Sequence, residues 1–226
     1  MNTEQDAYVP GMEHEGITVF MMGTVMVEYN RKPMPLMGNP QGKMLQLFLI
    51  LLYAGDKGVL REELLDMLYG NGENTNPSGS LRAAVFRLRK TLEGCGLPEH
   101  EYIRTDSGIY RWDGGGVPVY IDAKDFEITA HKALKQRDES LLKKACGLYQ
   151  GEFMAQLAGE KWVSIIGVRY QELYFDCLRM AYYIMKDNRE YTDLLELASD
   201  ACDLYPYEEC QIMKIDCLIA MKRFKD

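Results

Sequence analysis

The chain has 226 residues, 47% of them hydrophobic, and a net charge of -8 at pH 7. That length can bury one large core or two small ones, and its longest apolar stretch, residues 44–54 interrupted by Gln46, is too short to span a bilayer. The acidic start, with Glu4, Asp6, Glu13 and Glu15, lacks the basic flank and apolar centre of a secretory signal, so a cytoplasmic protein with no membrane partner is expected.

Residues 1–16 read as a flexible polar start. Ile17-Thr-Val-Phe-Met-Met and Thr24-Val-Met-Val-Glu-Tyr flank Gly23, and both carry the β-branched and aromatic content of strands. Asn30-Arg-Lys-Pro then turns the chain toward a short third strand near residues 34–37, which predicts a small antiparallel sheet. Gly38-Asn-Pro-Gln-Gly breaks the run, and residues 43–53 predict a buried helix stopped by Gly55. A second helix carries an amphipathic stripe, Leu64, Leu65 and Leu68, and ends at Gly70. Residues 71–79 are a loop by composition, with Asn76-Pro77 or Ser80 available to cap the helix that follows.

That third helix, residues 80–92, holds four cations, Arg82, Arg87, Arg89 and Lys90, and no anion. At about 100° per residue Leu81, Val85, Leu88 and Leu92 share one narrow stripe, the core face. Arg82, Phe86, Arg89 and Lys90 occupy the neighbouring arc and Arg87 lies further round. Tyr102-Ile-Arg-Thr, a turn at Asp106-Ser-Gly and Ile109-Tyr-Arg-Trp then predict a β-hairpin. Strands, three helices and a hairpin make an α+β winged helix-turn-helix, in which the third helix enters the major groove and the hairpin reaches the flanking backbone. Gly114-Gly-Gly-Val-Pro marks a junction, residues 114–118, between a winged domain at 17–113 and an all-α domain at 119–226. Helices are predicted there over about 122–136, 139–149, 163–186, 190–203 and 207–223, and Ala198, Ala201, Tyr205 and Pro206 give it a tetratricopeptide-like character.

Charge divides evenly. Residues 1–120 hold eleven Lys and Arg against fifteen Asp and Glu, and residues 121–226 hold fifteen against nineteen, so each half nets -4. An acidic domain is unusual for nucleic-acid binding, yet a concentrated basic patch still attracts phosphates because screening over roughly 8 Å mutes distant acids. Cys95, Cys146, Cys177, Cys202, Cys210 and Cys217 stand singly with no Cys-x-x-Cys pair, as free thiols in a reducing compartment do. His14, His100 and His131 are far apart in sequence, and no nucleophile with base and orienting group is evident. Neither an enzyme, a cofactor nor a metal is expected.

In the order and spacing of several motifs the chain resembles the antibiotic regulatory proteins and their relatives, which join an OmpR-type winged helix to a bacterial transcriptional activation domain. The winged part of the resemblance rests on Gly58-Val-Leu-Arg-Glu-Glu-Leu-Leu-Asp-Met-Leu-Tyr, on the Arg-Leu-Arg-Lys centre of residues 81–92 and on Tyr110-Arg-Trp. The helical part rests on Ile121-Asp-Ala-Lys-Asp-Phe-Glu, Leu148-Tyr-Gln-Gly-Glu-Phe, Trp162 with Arg169 and Leu173, and Tyr205-Pro-Tyr-Glu-Glu. Departures are Tyr69 in place of Trp, Ile109 in place of a glycine before Tyr110, and Arg82 and Phe86 where smaller, acidic or polar residues are common. The chain stops at Lys225-Asp226 inside what reads as a repeat helix, so the helical domain is shortened or belongs to a longer polypeptide.

The resemblance implies a sequence-specific regulator of transcription that binds double-stranded DNA, acts as an activator through its helical domain, forms a homodimer, and approaches RNA polymerase through the loop 71–79. Its implied DNA contacts are Arg82, Phe86, Arg87, Arg89 and Lys90 on the third helix and Arg104, Ser107 and Arg111 on the hairpin. Guanidinium groups suit guanine edges or phosphates, and Lys90 suits phosphate. Arg87 could instead brace the core, and Phe86 could meet a thymine methyl or pack against the hairpin or a partner. Trp162 and Arg169 read as helix-packing residues, and the fourteen methionines as core fillers. The competing reading is a protein-interaction module whose winged helix no longer binds DNA.

Overall fold

In a computed structural model the described residues are 15–39, 41–70, 72 and 74–222, with nothing described of the Met37 side chain. Most of the expected flexible start, the final residue of the expected helix 207–223, and positions 71 and 73 of the loop lie outside them. The chain divides into two compact units. One comprises the residues up to Asp122 together with Met154–Ser164, and the other comprises Ala123–Phe153 and the residues from Ile165 onward.

The first unit is mixed α+β. Strands β1 (Ile17–Phe20), β2 (Met26–Tyr29) and β3 (Lys32–Pro33) pair antiparallel in sequence order. The third strand is thus shorter and earlier than predicted. Pro35–Gly38 forms a single 3-10 turn with proline in its first position, where a missing N–H costs nothing, and it buries Leu36. The sheet is also not purely antiparallel, because β7 (Val119–Ile121) joins the other edge of β1 in parallel, Ile17 opposite Val119 and Val19 opposite Ile121. Residues 114–118, read from sequence as a junction, therefore lie within this unit, whose boundary falls after Asp122.

Helix α1 (Lys43–Ala54) is buried along its length, including Gln46, whose amide donates to the Glu160 carboxylate at 2.8 Å. A polar residue can sit inside this apolar run because it has a partner. Strand β4 (Val59–Leu60) leads into α2 (Arg61–Tyr69), where the Glu63 carboxylate accepts the Leu60 amide at 3.1 Å and satisfies one orphan donor of the first turn. Helix α3 (Pro77–Glu93) begins three residues before the predicted start at 80, since Asn76 rather than Ser80 caps it, accepting the Gly79 amide at 3.0 Å ahead of Pro77.

Strands β5 (Ile103–Asp106) and β6 (Ile109–Trp112) form the predicted hairpin, with Ser107 and Gly108 at φ 50° and 79°. Two left-handed central residues make the tight turn that matches strand twist, so Ile109 is accommodated as an ordinary strand residue. β6 also pairs with β4, giving a three-stranded sheet ordered β4-β6-β5. Trp112 fastens the hairpin to the core. It stacks on Tyr102 at 5.1 Å and meets the Phe48 ring edge-on at 5.4 Å. Trp112→Ala is expected to cost about 3–5 kcal/mol, read as a lowered urea midpoint, because a large aromatic leaves a cavity that these neighbours cannot fill.

The second unit is a helical bundle, α4 (Asp122–Gln136), α5 (Glu139–Leu148), α6 (Lys161–Asn188), α7 (Tyr191–Leu204) and α8 (Glu208–Ala220), with α4 and α6 starting in the first unit. The helices follow the predicted spans closely. Ala198, Ala201 and Tyr205 are buried where α7 and α8 meet, and Tyr149 stacks on Tyr174 at 4.5 Å while its hydroxyl lies 2.7 Å from that of Tyr205. Arg169 of α6, itself exposed, pairs with Glu127 of α4 at 3.1 Å, and Trp162, which belongs to the first unit, is buried. Met21, Met22, Met34, Met154, Met185 and Met213 are buried as core fillers. None of the described helices is long and apolar enough to cross a membrane.

Candidate nucleic-acid interface

Helix α3 turns Leu81, Ala84, Val85, Leu88 and Leu92 into the core. Its opposite side is what could meet a ligand. Phe86 is 63% exposed, an uncommon exposure for so large an apolar ring, and Arg82 and Arg87 are exposed beside it. The Arg82 Nε lies 3.4 Å from the Ser78 carbonyl of its own helix, and among the described residues no carboxylate lies within ion-pair distance of Arg82 or Arg87. Arg87 sits near Tyr69. Burial pushes the Tyr69 phenol up from its ordinary range, and the Arg87 charge offsets part of that rise.

The other two cations of α3 have partners. Lys90 pairs with Glu93 one turn on, at 3.3 Å, with both side chains largely exposed. Arg89 reaches across to the hairpin, where its Nη2 donates to the Ile103 carbonyl at 2.6 Å and lies 3.1 Å from a Glu101 carboxylate oxygen. The sequence placed Arg89 on the outward arc, and the structure places it between helix and hairpin.

On the hairpin, Arg104 and Arg111 face each other across β5 and β6 on the face opposite Ile103, Tyr110 and Trp112. Like charges directly opposite repel, and Asp113 relieves this pair by binding the Arg104 Nε at 2.8 Å. Asp113 is the hub of the hairpin base. It also accepts the Gly115 amide at 3.0 Å and lies 2.9 Å from the His100 Nε2, and the Gly115 amide, then His100 and Arg104, hold its carboxyl below the usual range. Asp113 is not among the residues the sequence singled out; an Asp just before Gly114-Gly-Gly is an Asx-turn signal that could have identified it. Ser107 is exposed at the turn and donates to Asp106 at 3.1 Å.

The stem of Arg111 crosses the backbone of Gly58. A Cβ there would lie 2.4 Å from the Arg111 Cγ and 2.7 Å from the Tyr110 carbonyl, and the φ of 65° at Gly58 also disfavours a side chain. Gly58 thereby lets the hairpin close onto β4. The arrangement sets six cations, Arg82, Arg87, Arg89, Lys90, Arg104 and Arg111, against the carboxylates of Glu93, Glu101, Asp106 and Asp113 on one helix and one hairpin. The Lys90–Glu93 and Arg104–Asp113 pairs are exposed and therefore weak, so an incoming polyanion can compete for their cations, whereas Arg89 also bonds the Ile103 carbonyl. Among the described residues no group of three or more His, Cys, Asp or Glu is placed to hold a metal ion.

No family model matches the sequence, and no curated protein is similar to it. Among solved structures, Mycobacterium tuberculosis EmbR in complex with a low-affinity phosphopeptide is similar in fold, with a TM-score of 0.68 and 16% identity, over 92% of this chain and 55% of that one. The chain thus spans about half the length of that solved chain. The likeness is one of fold, mixed α+β strands and helices followed by a helical bundle.

Proposed function

We propose that this chain is a sequence-specific regulator of transcription that binds double-stranded DNA through a winged helix-turn-helix formed by residues 17–113. Helix α3 is the recognition helix, carrying Arg82, Phe86, Arg87 and Lys90 toward the major groove while Arg89 lies between it and the hairpin, and the β5-β6 hairpin is the wing, bringing Arg104, Ser107 and Arg111 to the flanking backbone. The exposed face of Arg82, Phe86 and Arg87 on α3, with no carboxylate within ion-pair distance of either arginine among the described residues, carries this reading: an apolar ring and two guanidinium groups side by side suit base edges and phosphates. The fold shared with EmbR supports the order of units read from the motifs. The helices from Asp122 onward, tetratricopeptide-like in their motifs, are the surface for activation and for homodimer formation in the cytoplasm, and the segment leading into α3 is the approach to RNA polymerase; these rest on the family resemblance.

Selection of bound duplexes from a random pool tests this directly, and a consensus should emerge. If a protomer neutralises roughly four to six phosphates, the logarithm of affinity should fall with the logarithm of salt at a slope of about -4 to -5. A flat salt dependence, or no duplex retained at low salt, sinks the reading. The ion pairs of Arg89, Lys90 and Arg104 favour a second one, a protein-interaction module without DNA binding, and that outcome would be its support.

A further inference from the structure

Resting on that DNA-binding reading, we propose that Arg89 is a positioning residue: it clamps the hairpin to α3 so that helix and wing meet one duplex in fixed register, and it does not itself contact DNA. Its Nη2 is committed to the Ile103 carbonyl at 2.6 Å and to Glu101 at 3.1 Å. The inner edge of the guanidinium faces protein too, since the Arg89 Nε is buried with no hydrogen-bond acceptor among the described residues. By contrast Arg82 and Arg87 are bared to solvent.

The clamp acts at a place with leverage. Ile103 is fully buried, opens β5, and pairs with Trp112. β5 is the edge strand of the β4-β6-β5 sheet, so a carbonyl on its open side has no strand to donate to it. A cationic donor one helix away supplies that bond in its stronger, charge-assisted form. From this fixed point the hairpin runs to Arg104, which pairs in register with Arg111. Moving Arg89 to a phosphate would release the carbonyl and the wing with it.

The test compares R89Q and R87Q in the full chain, using a duplex chosen from a random pool and the same duplex trimmed from its ends until wild-type affinity first drops. R89Q should bind the long duplex about tenfold more weakly, as loss of one charge-assisted hydrogen bond predicts, at an unchanged salt slope. It should bind the trimmed duplex as well as wild type does, because the wing contacts are already gone there. R87Q should lower the slope by about one on both duplexes. Hydrogen exchange should quicken in R89Q at amides 103–112 and not in α3. Equal loss on both duplexes, a slope lowered by about one in R89Q, unchanged hairpin exchange, or faster exchange throughout the first unit would each overturn the proposal. If wild type retains no duplex the DNA reading fails, while the exchange comparison still decides whether Arg89 clamps the hairpin.

Discussion

Reversing Arg82 and Arg87 together to Glu is expected to weaken duplex binding by about a hundredfold or more, since each lost base or phosphate contact costs about 1–3 kcal/mol and each new carboxylate repels the backbone besides. Both side chains are exposed on α3, while the residues that anchor the helix, Leu81, Leu88 and Leu92, are at most 1% exposed. The double variant should therefore melt close to wild type. Anisotropy of a labelled duplex reads the affinity, and circular dichroism reads the fold. Reversal of the exposed Lys132 and Lys135 on α4 serves as the control for net charge and should change affinity far less. Affinity retained in the α3 variant and lost in the control would remove α3 from the interface.

The second large effect is on stability and comes from Asp122. Its carboxylate oxygens accept the backbone amides of Met21 and Met22 at 2.7 and 3.0 Å, and Asp122 is 6% exposed while the two methionines are 0% and 4% exposed. Asp122→Ala removes both acceptors and leaves two buried N–H groups in an apolar setting. At about 1–3 kcal/mol for each, the expected loss is about 2–5 kcal/mol. It should appear as a lower urea midpoint at unchanged dependence on denaturant. Asp122→Asn keeps one acceptor oxygen and should lose less. A neutral Asp122→Ala would show that these amides find other partners.

Asp122 also illustrates how far the chain could be read as sequence. The motif Ile121-Asp-Ala-Lys-Asp-Phe-Glu marks the start of a helix, and α4 does start at Asp122. Nothing in that motif points to an amide 101 residues away. The same holds for β7: Val119-Tyr-Ile has strand composition, but three residues after a glycine run carry too little periodicity to claim a sheet, and pairing with β1 is what makes them a strand. The third-strand error has a local cause. Alternation near residues 34–37 resembles a strand, yet Pro35 favours the turn that buries Leu36.

For the candidate interface, the periodicity of residues 80–92 was enough to determine which side of α3 is core, because Leu81, Val85, Leu88 and Leu92 recur at the helical period and burying them leaves Arg82, Arg87 and Lys90 outward. The hairpin was legible for a similar reason, a strong turn between two alternating runs. What the sequence could not apportion was the cations themselves. Arg82, Arg87, Arg89 and Lys90 look alike as residues of one helix, and their difference lies in what other elements bring near them: Glu101 and the open carbonyl of Ile103 for Arg89, Glu93 for Lys90, and no carboxylate within ion-pair distance among the described residues for Arg82 and Arg87. Helix and strand periods are local properties of a chain, and so they and the core face they imply were determined by the sequence alone. Which charge is spent inside the protein and which is left for a partner depends on contacts between segments distant in sequence, and only the tertiary structure decided it.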